Sequence, residues 1–120
     1  MSLTNIIYEA LGSVPGARFA GVVGTDGLSI EMAYADARDD YDLDLAELEL
    51  ATLTANAGAA SNRIGSGSVR ALILETEDLT YLASVITPGY FAVLGLNADS
   101  NLGKARYTVT QMVERMRSEI

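Results

Sequence analysis

VRALILETEDLTYLASVITPGYFAVLGL, residues 69–96, holds three extended runs in close succession. Val69–Glu75, Thr80–Ile86 and Tyr90–Leu96 are rich in aliphatic, β-branched and aromatic residues, and both Thr76-Glu77-Asp78 and Thr87-Pro88-Gly89 have turn chemistry. The stretch reads as an antiparallel meander. Further toward the N-terminus, Arg18–Gly24 and Leu28–Met32 flank Thr25-Asp26-Gly27, and an Asp-Gly turn between two such runs predicts a β-hairpin.

Helical spacing fills most of what remains. Leu3, Ile6, Ile7, Ala10 and Leu11 share one face, with Ser2 placed as a cap and Gly12 ending the run before Pro15. Leu43, Ala46, Leu50, Leu53, Ala57, Ala60 and Ile64 recur at alternating steps of three and four, which predicts a long central helix stopped by Gly65-Ser66-Gly67. Beside that stripe lie small residues, Ala51, Ala55, Gly58 and Ala59, together with Asn62. After Asp99-Ser100-Asn101, the residues Leu102, Ala105, Val109, Met112, Val113, Met116 and Ile120 form the apolar face of a last helix.

The order is helix, hairpin, helix, meander, helix. An α/β (α+β) sandwich satisfies it, with one five-stranded antiparallel sheet, the long central helix on one face and the N- and C-terminal helices on the other. Pairing the last meander strand with the first hairpin strand gives the order 2-1-5-4-3. The edges are then Leu28–Met32 and Val69–Glu75. The first alternates apolar with polar and carries Glu31, an ordinary way of blunting an edge; the second contains Ala71-Leu72-Ile73-Leu74, apolar on both faces. An edge of that kind left bare is an aggregation template. The simplest cover is the same strand of a second copy, which joins two sheets and brings the small faces of two central helices together. A two-fold homodimer is expected, through Ala51, Ala55, Gly58, Ala59, Asn62, Val69, Ala71 and Ile73.

Composition narrows the function classes. The 120 residues suit one domain over residues 1–120, and 49% hydrophobic with 20% charged residues is a globular balance. Neither cysteine nor histidine is present, which removes disulfides and the usual zinc ligands and fits a reducing cytoplasm. Met1-Ser2-Leu3-Thr4-Asn5 has no basic region ahead of an apolar stretch, and no window is apolar for long enough to span a bilayer, so neither secretion nor membrane insertion is expected. The formal net charge of −8 repels phosphate backbones, so no nucleic-acid partner is expected.

The candidate motifs for chemistry fail on their own requirements. Gly103-Lys104 suggests a phosphate loop, but that loop needs glycine at 98 and Ser or Thr at 105, where Ala98 and Ala105 stand. Asp40-Tyr41-Asp42-Leu43-Asp44 opens like a calcium loop, yet Leu45 replaces the required glycine and Ala51 the bidentate glutamate. Gly65-Ser66-Gly67 follows a helix, so the helix dipole presents the wrong end to an anion. With no histidine to activate a hydroxyl and the acids clustered in a loop, no catalytic, cofactor or metal residue is assigned. Tyr34, Tyr41, Asp39, Asp40, Asp42, Glu47 and Glu49 form either a contact surface for a basic partner or simply a soluble face. Of these, Tyr41, Asp40, Asp42 and Glu47 are the candidates for a partner surface.

Three segments carry a family likeness. Gly21-Val22-Val23-Gly24-Thr25-Asp26-Gly27-Leu28 is similar to the first hairpin of the Roadblock/dynein light chain family, in its bacterial form, and Ala51–Ile64 resembles its alanine-rich central helix. Leu72-Ile73-Leu74-Glu75-Thr76-Glu77, Phe91-Ala92-Val93-Leu94 and Ala98-Asp99-Ser100-Asn101-Leu102-Gly103 resemble its meander and the entry to its last helix. The resemblance implies homodimerisation through the central helix and third strand, in agreement with the edge argument. It further implies a non-catalytic regulator or adaptor of a small Ras-like GTPase, as activator or scaffold. The alternatives are a light-chain-like dimerisation subunit of a larger assembly, acting on a scaffold protein, and a small-molecule sensor. The family offers no catalytic triad or arginine finger to carry over.

Overall fold

The structure, a computed structural model, describes residues 2–35 and 43–119. The elements run α1 (Leu3–Ser13), β1 (Ala17–Gly24), β2 (Ser29–Tyr34), α2 (Leu43–Ile64), β3 (Ala71–Glu75), β4 (Leu79–Thr87), β5 (Tyr90–Asn97) and α3 (Leu102–Arg117). All five strands form one antiparallel sheet in the order β2-β1-β5-β4-β3, as the pairing of the meander with the hairpin required.

The two faces of the sheet carry separate cores. On one, Ile6, Ile7 and Ala10 of α1 and Val109, Met112 and Met116 of α3 pack on Ala20, Val22, Ala92, Leu94 and Leu82. On the other, Leu50 and Ala51 of α2 pack on Phe19, Val23, Ala83, Phe91 and Val93. Because helices cover both faces, β1 and β5 are buried along nearly their whole length instead of alternating with solvent. That explains why their sequences are apolar runs.

Local chemistry fixes the ends of the helices. The Ser2 hydroxyl accepts from the Asn5 N–H at 3.3 Å, and Asn101 Oδ1 accepts from the Lys104 N–H at 3.0 Å. Gly65 takes a φ of +84°, and the N–H groups of Gly65 and Ser66 both donate to the Ser61 carbonyl, ending α2 as its glycine predicted. Helix α1 continues through Gly12 to Ser13, beyond the expected Leu11. What stops it is Pro15, which forces Val14 into the extended region at φ −111°, ψ 112°. Strand β2 runs to Tyr34 because the ladder extends to the Phe19–Tyr34 pair, and β3 begins at Ala71, two residues later than expected. Removing the α3 cap with Asn101→Ala is expected to cost about 1 kcal/mol, read by urea denaturation at constant m.

Candidate interaction surface

Helix α2 is longer than the sheet it lies on. Its described buried residues, Glu47, Leu50, Ala51 and Thr54, end near its midpoint, and from Ala55 to Ile64 none is buried. Ile64, at 78% exposure, is the most exposed large aliphatic residue described. A second element is therefore missing from the far half of α2. The residues there are small: Ala55, Ala59 and Asn62 face solvent, and a Cβ built on Gly58 meets nothing within 4 Å. Packing within this chain does not require glycine at that position.

Strand β3 is the uncovered edge. It pairs only with β4, through Ala71–Ser84, Leu72–Ala83, Ile73–Leu82 and Leu74–Tyr81. The Val85 N–H donates to the Arg70 carbonyl and the Thr76 N–H to the Leu79 carbonyl, so the even-numbered residues turn their backbone groups toward β4. By the strand's alternation, Ala71, Ile73 and Glu75 direct theirs outward. Side chains follow the same rule: Ala71 and Ile73 lie on the α3 face, Leu72 and Leu74 on the α2 face. Between α2 and the β3–β4 pair runs an apolar cleft of 340 Å³, lined by Leu45, Ala46, Leu50, Leu53, Leu74 and Tyr81.

Of the residues expected at a dimer seam, the structure thus brings together two groups. Ala55, Gly58, Ala59 and Asn62 lie on the open half of α2, and Ala71 and Ile73 on the open edge, with Val69 just before it and partly exposed. Ala51 is placed differently. It is 2% exposed and packs into its own chain's core with Leu50, one helical turn short of the open half.

The acidic candidates separate as well. Asp40, Tyr41 and Asp42 lie outside the described residues. Glu47 is 5% exposed, and its Oε1 accepts from the Tyr34 hydroxyl at 3.0 Å, so it joins α2 to β2 instead of facing a partner. The helical period explains this: Glu47 is one turn before Ala51 and shares its inward face. Tyr34→Phe withdraws that donor from a buried carboxylate and is expected to cost about 1–3 kcal/mol in thermal unfolding. The sequence reading missed the exposed Leu45 and Leu48, and Leu53, which it placed in the apolar stripe, is itself exposed beside them.

The segments weighed for chemistry have structural duties. Gly103 and Lys104 sit in the first turn of α3 under the Asn101 cap, and Gly65 and Gly67 supply positive φ angles after α2. Among the described residues no group of three or more carboxylates converges as a metal site would, and no helix is long and apolar enough to cross a membrane.

The family model for the Roadblock/LC7 domain matches this chain over residues 3–95, from α1 into β5. The chain belongs to the Roadblock/LC7 family. Its fold superposes on the Roadblock/LC7 domain from Streptomyces avermitilis with a TM-score of 0.86 at 18% identity, covering 99% of this chain and 98% of that one. MglC from Myxococcus xanthus is 30% identical with a TM-score of 0.72, and each chain is covered completely. The gliding protein MglB from Thermus thermophilus superposes with a TM-score of 0.86 at 18% identity, over 97% of this chain and 86% of that one. A comparison with curated proteins found no match. Within the Roadblock/LC7 fold, the β3 edge and the distal half of α2 are uncovered among the described residues.

Proposed function

We propose that this Roadblock/LC7 chain is a homodimeric, non-catalytic regulator or adaptor of a small Ras-like GTPase, acting in the cytoplasm. The observation that carries the dimer is the apolar β3 edge, where Ala71 and Ile73 direct their backbone groups outward, together with the open half of α2 on the opposite face of the sheet, whose small residues have nothing packed on them. Kinship with MglC and the fold shared with the gliding protein MglB support a regulatory role over an enzymatic one. The family resemblance offers no arginine finger to carry over, so we expect any effect on hydrolysis to come from holding the GTPase's own switch loops in place.

The test has two stages. Light scattering behind a sizing column, across a micromolar concentration series, is expected to give twice the chain mass; a persistent monomer rejects the dimer. Binding to a Ras-like GTPase of the same organism is then measured in its GDP and GTP states, with hydrolysis and nucleotide exchange followed in parallel. Faster turnover identifies an activator, binding without rate change identifies an adaptor, and no binding in either state rejects the GTPase reading. A dimer that instead holds a long scaffold protein would be the light-chain alternative.

A further inference from the structure

The α2 layer has a hole at one end and a knob at the other. The hole is the apolar cleft of 340 Å³ between the N-terminal half of α2 and the β3–β4 pair, where Leu45, Leu53, Leu74 and Tyr81 stand with Glu49 beside them. The knob is Ile64, the last residue of α2, 78% exposed and preceded by Arg63. One chain cannot bring them together: along the helix axis Ile64 lies about 16 Å from Leu53 and about 28 Å from Leu45. Charge divides the helix in the same way. Its acids, Asp44, Glu47 and Glu49, all fall in the first seven residues, and its one base is Arg63. The exposed side chains of Glu49 and Arg63 have neither a hydrogen bond nor an ion pair among the described residues.

We propose that the cleft of each copy is filled by Ile64 of a second copy, which fixes the register of two antiparallel central helices; the inference rests on the dimer proposed above. Symmetry supplies the geometry. A two-fold axis that pairs β3 with its own copy as antiparallel strands stands perpendicular to the sheet, so both α2 helices lie on one face and run in opposite directions. Within a chain, the cleft sets the N-terminal half of α2 beside Leu74 and Thr76 at the end of β3, while residues 65–70 lead from Ile64 to the start of β3. Antiparallel pairing places the start of one β3 against the end of the other. The C-terminal end of one α2 is thereby carried to the mouth of the other copy's cleft. Charge favours the same arrangement, because it brings Arg63 of one copy toward Glu49 of the other, whereas parallel helices would set acid against acid. An aliphatic knob also removes the aliphatic lining from water, which a polar occupant would not.

The chain has no cysteine, so engineered disulfides read the contact directly. Ile64→Cys mixed with Leu45→Cys or with Leu53→Cys and then oxidised is expected to give a covalent dimer on a non-reducing gel in at least one of the two mixtures. Ile64→Cys alone should not crosslink, since the axis holds the two copies of that position far beyond the roughly 7 Å between Cα atoms that a disulfide spans. Ile64→Ala changes a side chain that is exposed in the single chain, and it is expected to weaken self-association about a hundredfold because each dimer loses two buried isoleucines. Ile30→Ala, also exposed but on β2 at the opposite edge of the sheet, leaves it unchanged. Arg63→Glu weakens association several-fold, and adding Glu49→Arg to the same chain restores it. A chain that is dimeric by light scattering but gives no mixed crosslink, or that keeps its affinity in Ile64→Ala, overturns this packing and leaves the dimer standing. Crosslinking of Ile64→Cys to itself overturns it as well, by setting the two helix ends together. A chain that stays monomeric overturns both readings.

Discussion

Ile73→Pro is expected to convert the proposed dimer to a monomer while leaving each chain folded. The outward-facing parity of β3 makes the substitution selective. The Ile73 N–H points away from β4, so proline removes no bond of the β3–β4 ladder, and edge strands tolerate proline at such positions. Across a two-fold edge pairing, the same N–H is a ladder donor and the ring occupies the partner strand's place. Symmetry doubles the effect, since one substitution alters both copies. At about 1.5 kcal/mol for each lost bond and its steric cost, the total is about 3 kcal/mol, or roughly a hundredfold in dimer affinity. Light scattering across the concentration series reads it directly. Ile73→Val keeps the N–H and β-branching and should remain dimeric. A proline variant that is folded by circular dichroism and still dimeric would move the interface off this edge. Gly58→Leu then examines the helix half of the same seam: the open space around Gly58 accommodates leucine within the chain, whereas a closely packed second helix would not.

Much of this architecture was legible in the sequence, because turn chemistry and periodicity there agree. Pro88-Gly89 and Asp26-Gly27 each supply a positive-φ glycine where two strands meet, and these turns allow only antiparallel neighbours. The strand order followed from merging two strand groups into one sheet. Individual positions within the elements were harder to read. Glu47 looks like a surface acid, and only tertiary placement of the α2 N-terminal half over Tyr34 buries it. Ala51 belongs by composition with Ala55, Gly58 and Ala59, but the sheet ends beneath α2 between Ala51 and Ala55, so identical residue types divide into core and open face.

A large effect on stability of a single methyl group is expected at Gly95. This residue stands opposite Phe19 on β1 and opposite Tyr81 on β4. Lacking a side chain, it lets the Phe19 ring lie across the sheet toward Tyr81, with ring centroids 6.2 Å apart and planes inclined by 43°. A Cβ at position 95 would fall 2.2 Å from Phe19 Cε1 and 2.5 Å from its Cζ. The ring has little room to yield: Phe19 is 1% exposed and shares its core cluster with Leu50 and Ala51 of α2. Two effects oppose each other in Gly95→Ala. Restricting the unfolded backbone favours alanine by about 0.5–1 kcal/mol, while overpacking costs about 1–3 kcal/mol and more when no neighbour can give way. With backbone on one side and α2 above, overpacking wins. We expect a net loss of about 2 kcal/mol and a fall in Tm of about 10 °C, measured at fixed protein concentration because self-association shifts Tm. A double-mutant cycle with Phe19→Leu assigns the cause. If the ring is the obstacle, the smaller residue relieves the clash and the two substitutions couple by more than about 1 kcal/mol; additivity within about 0.5 kcal/mol would place the strain elsewhere.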